Sequence, residues 1–130
     1  MAYLGQIRRW EVYWADLDPT VGQEQRGEKR PVLVISNDGF NAHFEVVTVL
    51  PLTKGAGKTR RVYPFEVEIP AGTLHERFSS IVMPQQIRTV SRLRMLEHLG
   101  AVSDPAVQHA IEDRLLEHLG IEFGLYEPGK

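Results

Sequence analysis

Residues 30–53 read RPVLVISNDGFNAHFEVVTVLPLT, and the two apolar runs that flank its polar middle decide the fold. Pro31 to Ser36 is short and rich in Val, Leu and Ile, as expected of a strand covered on both faces. Asn37-Asp38-Gly39 breaks it, and Val46 to Thr53 forms a second β-branched run. Folded as an antiparallel hairpin, with Arg30 opposite Thr53, the stretch centres its turn between Asn41 and Ala42, inside the Asn37 to Glu45 connection. Arg30 and Thr53 are therefore expected at one end of the sheet.

Outward from this hairpin, Glu11 to Leu17 is a Val-, Tyr- and Trp-bearing strand that stops at Asp18-Pro19. Thr20 to Lys29 is a polar loop with two glycines, longer than a typical hairpin connection. Lys54 to Arg61 is a basic, glycine-containing loop, and Val62 to Ile69 a fourth strand ended by Pro70. Ser80 to Val90 reads as a fifth, with Pro84 marking an edge or a bulge. Arg92 to Leu99 is ambiguous between a helical turn and a strand. Asp104 suits an N-cap, Pro105 the first helical position, and Val107, Ile111, Leu115 and Leu119 recur every four residues before Gly120, which predicts an amphipathic helix. Five or six strands and one C-terminal helix make an α+β domain, with a small curled sheet or barrel.

With the strands running up and down in chain order, the Thr20 to Lys29 and Lys54 to Arg61 loops emerge at the Arg30 end. They bring Arg26, Lys29, Lys54, Lys58, Arg60 and Arg61, and the fifth strand returns Gln86, Arg88 and Thr89 toward them. The same order sends His43 and His75 to the far end. His98, His109 and His118 belong to the C-terminal region, and none of the five histidines has metal-ligand spacing such as His-Glu-x-x-His.

Composition sets the bounds. A length of 130 residues suits one domain, here 1–130, with a core of its own, and 42% hydrophobic against 25% charged residues describes a soluble chain without an anchor. No apolar run approaches roughly 18 residues, and none follows Arg8 and Arg9 as a secretory leader requires. The absence of cysteine excludes disulfides, thiolate metal sites and cysteine nucleophiles, and fits a cytoplasmic protein. The net charge of -2 hides a split: residues 1–96 hold 13 Lys/Arg and 10 Asp/Glu, residues 97–130 hold 2 and 7. The body is mildly basic and able to meet a polyanion.

Five blocks, in order, resemble one family. They are Glu11-Val-Tyr-Trp-Ala-Asp-Leu-Asp-Pro-Thr-Val-Gly22, Glu24-Gln25, Lys29-Arg-Pro-Val-Leu-Val-Ile-Ser-Asn-Asp38 through to Asn41, Leu50-Pro-Leu-Thr53, and Gln86-Ile-Arg-Thr-Val90. Together they resemble the MazF/PemK toxins of bacterial toxin-antitoxin systems, over about two-thirds of the chain.

The resemblance implies an SH3-like β-barrel of mostly antiparallel strands with a C-terminal helix, a homodimer, and cofactor- and metal-free cleavage of single-stranded RNA at short sequences. It also implies a cognate MazE-like antitoxin whose disordered acidic segment covers the basic groove. Arg30 and Thr53 fall on the family's catalytic pair, and Glu24, Gln25 and Gln86 on residues associated with its RNA groove. Arg26, Lys29, Lys58, Arg60 and Arg88 join them as phosphate-binding candidates by charge. The sequence departs from the family at Trp10, where Gly is usual, and is about one residue longer between Glu24 and Arg30. The implied reaction is attack of a ribose 2′-OH on the adjacent phosphorus, giving a 2′,3′-cyclic phosphate and a 5′-OH. Arg30 suits the charge that builds on the phosphoryl oxygens and Thr53 its hydrogen bonding, while the proton acceptor is left unassigned, Glu24 being a candidate if its loop closes over the RNA. A different class also fits the fold: a non-catalytic SH3-like module that binds a protein target such as gyrase.

Overall fold

The computed structural model describes residues 2–19, 21–24, 29–55 and 61–122. Seven strands and two helices are found among them: β1 (Glu11–Ala15), β2 (Arg30–Val34), α1 (Asp38–His43), β3 (Val46–Lys54), β4 (Val67–Ile69), β5 (Ser80–Val82), β6 (Arg88–Ser91), β7 (Met95–Ala101) and α2 (Pro105–Leu119). All pairings are antiparallel. The sheet runs β4-β5-β3-β2-β1-β7, with β6 joined to β3, and it is not closed: β4 and β7 are its edges.

The central hairpin has the expected register. Val32 pairs with Pro51, Leu33 with Leu50 and Val34 with Val49, and this register carried two residues further sets Arg30 across from Thr53. Its connection is not a simple turn. Asn37 caps α1 by accepting from Phe40 N, and buried Asn41 donates to the Ser36 carbonyl, pinning this short helix under β3.

The strand count exceeds five or six because proline and a short turn each divide a run. Pro84–Gln86 forms a 3₁₀ turn, so Ser80 to Val90 splits into β5 and β6, which pair successively with the same edge of β3. Arg92–Arg94 is a second 3₁₀ turn and Met95–Ala101 a strand, so the ambiguous stretch holds both structures in sequence. The fourth strand is shorter than Val62 to Ile69, with Glu66 N turning back to the Tyr63 carbonyl before β4 begins.

Alternation along the strands divides the core in two. On one face Tyr13, Ala15 and Leu17 of the β1 segment pack with Val32, Val34, Val47, Val49, Val90 and Met95. Tyr13 is fully buried, and its hydroxyl donates to Glu11 Oε1 at 2.7 Å. On the other face Val12, Leu33, Leu50, Leu52, Ile69 and Val82 lie beneath α2 through Ile111, Val107 and Leu115. Asp104 and Pro105 open α2 and left-handed Gly120 closes it, as expected from the sequence.

Strand order overturns one placement. β4 does not follow β3 in the sheet; β5 lies between them, so β4 runs in the same direction as β3. Ile69, Ser80 and Lys54 form one row, and the loop bearing His75 leaves the sheet at the Arg30 end, not the far end. The connection from β3 to β4 is long enough for this crossover. His43, at the end of α1, is at the far end as expected.

Candidate functional site

The site is built where β2 begins and β3 ends. Arg30 opens β2 and pairs with fully buried Ala15 of β1, while Thr53 pairs with buried Ile81 of β5. Arg30 alternates with Val32 and Val34, and Thr53 with Val47 and Val49, so both face the side of the sheet away from α2. Arg30 is half-buried, and desolvation holds its guanidinium below the usual arginine range. It stays a cation at neutral pH, because arginine starts so far above neutrality.

Arg88 reaches the same face from β6, paired with Val49. Its guanidinium donates to the Leu17 carbonyl and lies 3.8 Å from Glu24 Oε2. Glu24 also accepts from Val21 N at 2.8 Å, so its carboxylate shapes its own turn. Gln86 donates to the Gln23 carbonyl at 3.2 Å. These contacts fold the segment that follows β1 onto the turn before β6, which brings Glu24, Gln86 and Arg88 into one group. Lys29 stands apart, with its ammonium 2.9 Å from Glu97 on β7 and over the ring of Trp14. Gln25, Arg26, Lys58 and Arg60 lie outside the described residues.

Two contributors carry little signal in the sequence. Arg94 Nη1 donates to the Asp16 and Asp18 carbonyls and clamps the exit of β1. Its signal is weak because Arg94 closes a turn that the sequence leaves ambiguous. The second is the 70–79 loop: Gly55 N donates to the Ser79 carbonyl at 2.9 Å, and a Cβ at Gly55 would collide with the Ser79 hydroxyl. Lys54 lies 4.2 Å from the centre of the Phe78 ring.

Among the described residues no three His, Asp or Glu side chains converge as a metal site, and no helix is long and apolar enough to cross a membrane. The described candidates offer guanidinium groups, a hydroxyl, an amide and one carboxylate. That set binds and polarises a phosphate well.

Comparison with known proteins identifies the family and the fold. Residues 8–119 match the family described as PemK-like, MazF-like toxin of type II toxin-antitoxin system. The chain is 34% identical over 120 residues to endoribonuclease MazF9 of Mycobacterium tuberculosis, an alignment covering 88% of this chain and 98% of that protein. It is similar to MazF of Deinococcus radiodurans, with a TM-score of 0.75 and 28% identity over 90% of this chain and 99% of that one. A mycobacterial endoribonuclease in complex with its cognate antitoxin matches with a TM-score of 0.71 and 26% identity, over 90% and 98% of the two chains.

Proposed function

Because the chain belongs to the PemK-like, MazF-like toxin family of type II toxin-antitoxin systems, we propose that it is a metal-independent endoribonuclease cutting single-stranded RNA in the cytoplasm. The observation that carries this reading is the register of β2 on β3, which sets Arg30 across from Thr53 on the face away from α2.

The substrate's 2′-OH attacks the adjacent phosphorus and gives up its proton, the bond to the 5′-oxygen breaks, and that oxygen takes up a proton as it leaves, so the products are a 2′,3′-cyclic phosphate and a 5′-OH with no net proton change. No external water enters. Arg30 donates to the non-bridging oxygens as charge accumulates, from a partly desolvated position where that interaction is strengthened. Thr53 donates a hydroxyl hydrogen bond to the same group. Glu24 is the one carboxylate of the candidate set and takes the 2′-OH proton; its ion pair with Arg88 holds it in place. Gln86 and Arg88 hold the flanking backbone. The requirement for a 2′-OH selects RNA over DNA.

The active form is a homodimer controlled by an acidic antitoxin segment. Leu4, Phe44 and Leu93 are exposed in the single chain and suit a surface covered by a second copy. Related toxin structures include a complex with the cognate antitoxin. An antitoxin bearing acidic side chains complements the Arg30 end by charge.

The deciding experiment incubates the purified protein with a long single-stranded RNA in EDTA, beside an Arg30→Ala variant. Cleavage by the parent and loss of cleavage in the variant are expected. Intact RNA with the parent, or equal cutting by both, overturns the proposal.

A further inference from the structure

The loop that strand order brings to the Arg30 end closes a small apolar slot behind it. Trp14, Pro31, Leu74, His75, Phe78 and Leu99 wall a space of about 90 Å³, with the Ser80 hydroxyl at its edge. This lies well below the roughly 300–1,000 Å³ of a drug-sized site and several-fold above the roughly 10–15 Å³ that one water needs. Three of its lining residues present flat rings: the indole of Trp14, and the stacked pair of His75 and Phe78, whose centres are 3.5 Å apart. Lysines stand against both aromatic walls, with Lys29 Nζ 5.2 Å from the centre of the Trp14 ring and Lys54 Nζ 4.2 Å from that of Phe78. Lys29 is also paired with Glu97, so Lys54 is the more available of the two.

Pro31, which pairs with Trp14, immediately follows Arg30 in β2. Successive residues point to opposite faces, so Arg30 faces one side of the strand end and the slot opens on the other. A strand of nucleic acid lapping over this end meets Arg30 with one phosphate and Lys54 with another, and carries a base to the slot between them. A flat ring with a polar edge matches apolar walls, one hydroxyl and a cationic surround better than an aliphatic side chain does.

We propose that this slot receives one pyrimidine base of the RNA, next to the nucleotide whose phosphate lies on Arg30, and that Trp14, Phe78 and His75 set the sequence preference at that position. The proposal rests on the RNA-cleaving function above. A structural role alone, in which the rings merely close the sheet end, gives no dependence on the base.

The test uses the full chain and a fluorescein-labelled single-stranded oligouridine made uncleavable by 2′-O-methylation. A second oligonucleotide has the same backbone with one central base removed. The parent is expected to bind the intact oligonucleotide about 10-fold more tightly than the abasic one, and Phe78→Ala to erase that difference. His75→Ala, on an exposed loop, removes a ring without opening the core and is expected to reduce it several-fold. Equal affinity of the parent for both oligonucleotides overturns the proposal. So does competition for the slot by an apolar, aromatic-bearing peptide that leaves oligonucleotide binding unchanged, because the slot then serves a protein partner. Mapping cut sites on a long RNA separates the two readings: base-dependent binding without any cleavage sinks the nuclease function and leaves the slot standing. Cleavage with unaltered site preference in His75→Ala and Phe78→Ala sinks the slot and leaves the nuclease.

Discussion

At the scale of single residues, Arg30 is the position where sequence and geometry converge most closely. Its planar fork donates twice to a phosphate, which a lysine ammonium does not reproduce. Arg30→Lys is therefore expected to lose about 10²- to 10³-fold in kcat, close to the loss from Arg30→Ala, with a smaller change in KM. Single-turnover cleavage of a fixed RNA measures this; near-normal rates in Arg30→Lys would show that charge alone suffices. Burial lowers the pKa of Arg30 but leaves it cationic, so its protonation imposes no titration on cleavage across the neutral range. A basic limb appearing there, and vanishing with Arg30, contradicts the assignment.

Trp10 shows how backbone and side chain compete at one residue. It is the one non-glycine with positive φ among the described residues, at 72°. That conformation accounts for the glycine usual at this position in the family, and costs an L-residue about 1–2 kcal/mol. Trp10 nevertheless packs against the core beneath α2, lies 4.8 Å under the Arg9 guanidinium, and ties β2 to the segment after β7 through Val34 O and Val102 N. Losing a large aromatic costs about 3–5 kcal/mol when it is fully buried, and less here. Trp10→Gly is expected to lower stability by about 1–2 kcal/mol net, read as a fall in Tm of several degrees. An unchanged or higher Tm would mean that strain outweighs packing.

At the scale of elements, α2 is the most legible part of the chain and acts on the site only through the sheet. Its cap, first-turn proline, apolar spacing and terminal glycine are all local signals, and they are met except at Leu119, the last apolar position, which is exposed. Ile111 is fully buried against the sheet face opposite Arg30. Ile111→Ala is expected to cost about 2–4 kcal/mol in denaturant unfolding, and Asp104→Ala about 1 kcal/mol. Neither is expected to alter kcat at a temperature where the protein stays folded. A selective loss of turnover in Ile111→Ala, with little loss of stability, would place the helix nearer the chemistry than the sheet allows.

The hairpin is legible for a different reason. A period-2 pattern and a bounded turn leave few registers, and slipping by one residue turns every apolar side chain to the wrong face. The apolar pattern and the bounded turn together narrow the register of β2 on β3 to one that sets Arg30 across from Thr53, and the pairing of Val32 with Pro51 has that register. The α1 helix within the turn is less legible, because six residues give too short a pattern to recognise.

At the scale of the whole molecule, electrostatics decide what meets the Arg30 end. The net charge is only -2, yet the cations named around the site belong to residues 1–96. RNA binding is expected to weaken with salt, each phosphate contact contributing about -0.7 to the slope of log K against log salt. Arg88→Ala removes roughly one such unit; an unchanged slope would remove Arg88 from the interface. An acidic antitoxin segment competing for the same end is expected to abolish cleavage when mixed with the protein in stoichiometric amount. Full activity in a stable complex would place the antitoxin elsewhere.

The α+β class, the central hairpin and the C-terminal helix are legible in the sequence, which also names Arg30, Thr53, Glu24, Gln86 and Arg88 as candidates. These rest on local patterns, or on motif blocks in which the chemistry is written as residue type. Long-range pairing alone sets β5 between β3 and β4, because several strand orders satisfy the same apolar alternation and connection lengths. That choice moves His75 and Phe78 to the Arg30 end and places them with Trp14 around one slot. Residues far apart in the chain meet there through a crossover that no local pattern encodes.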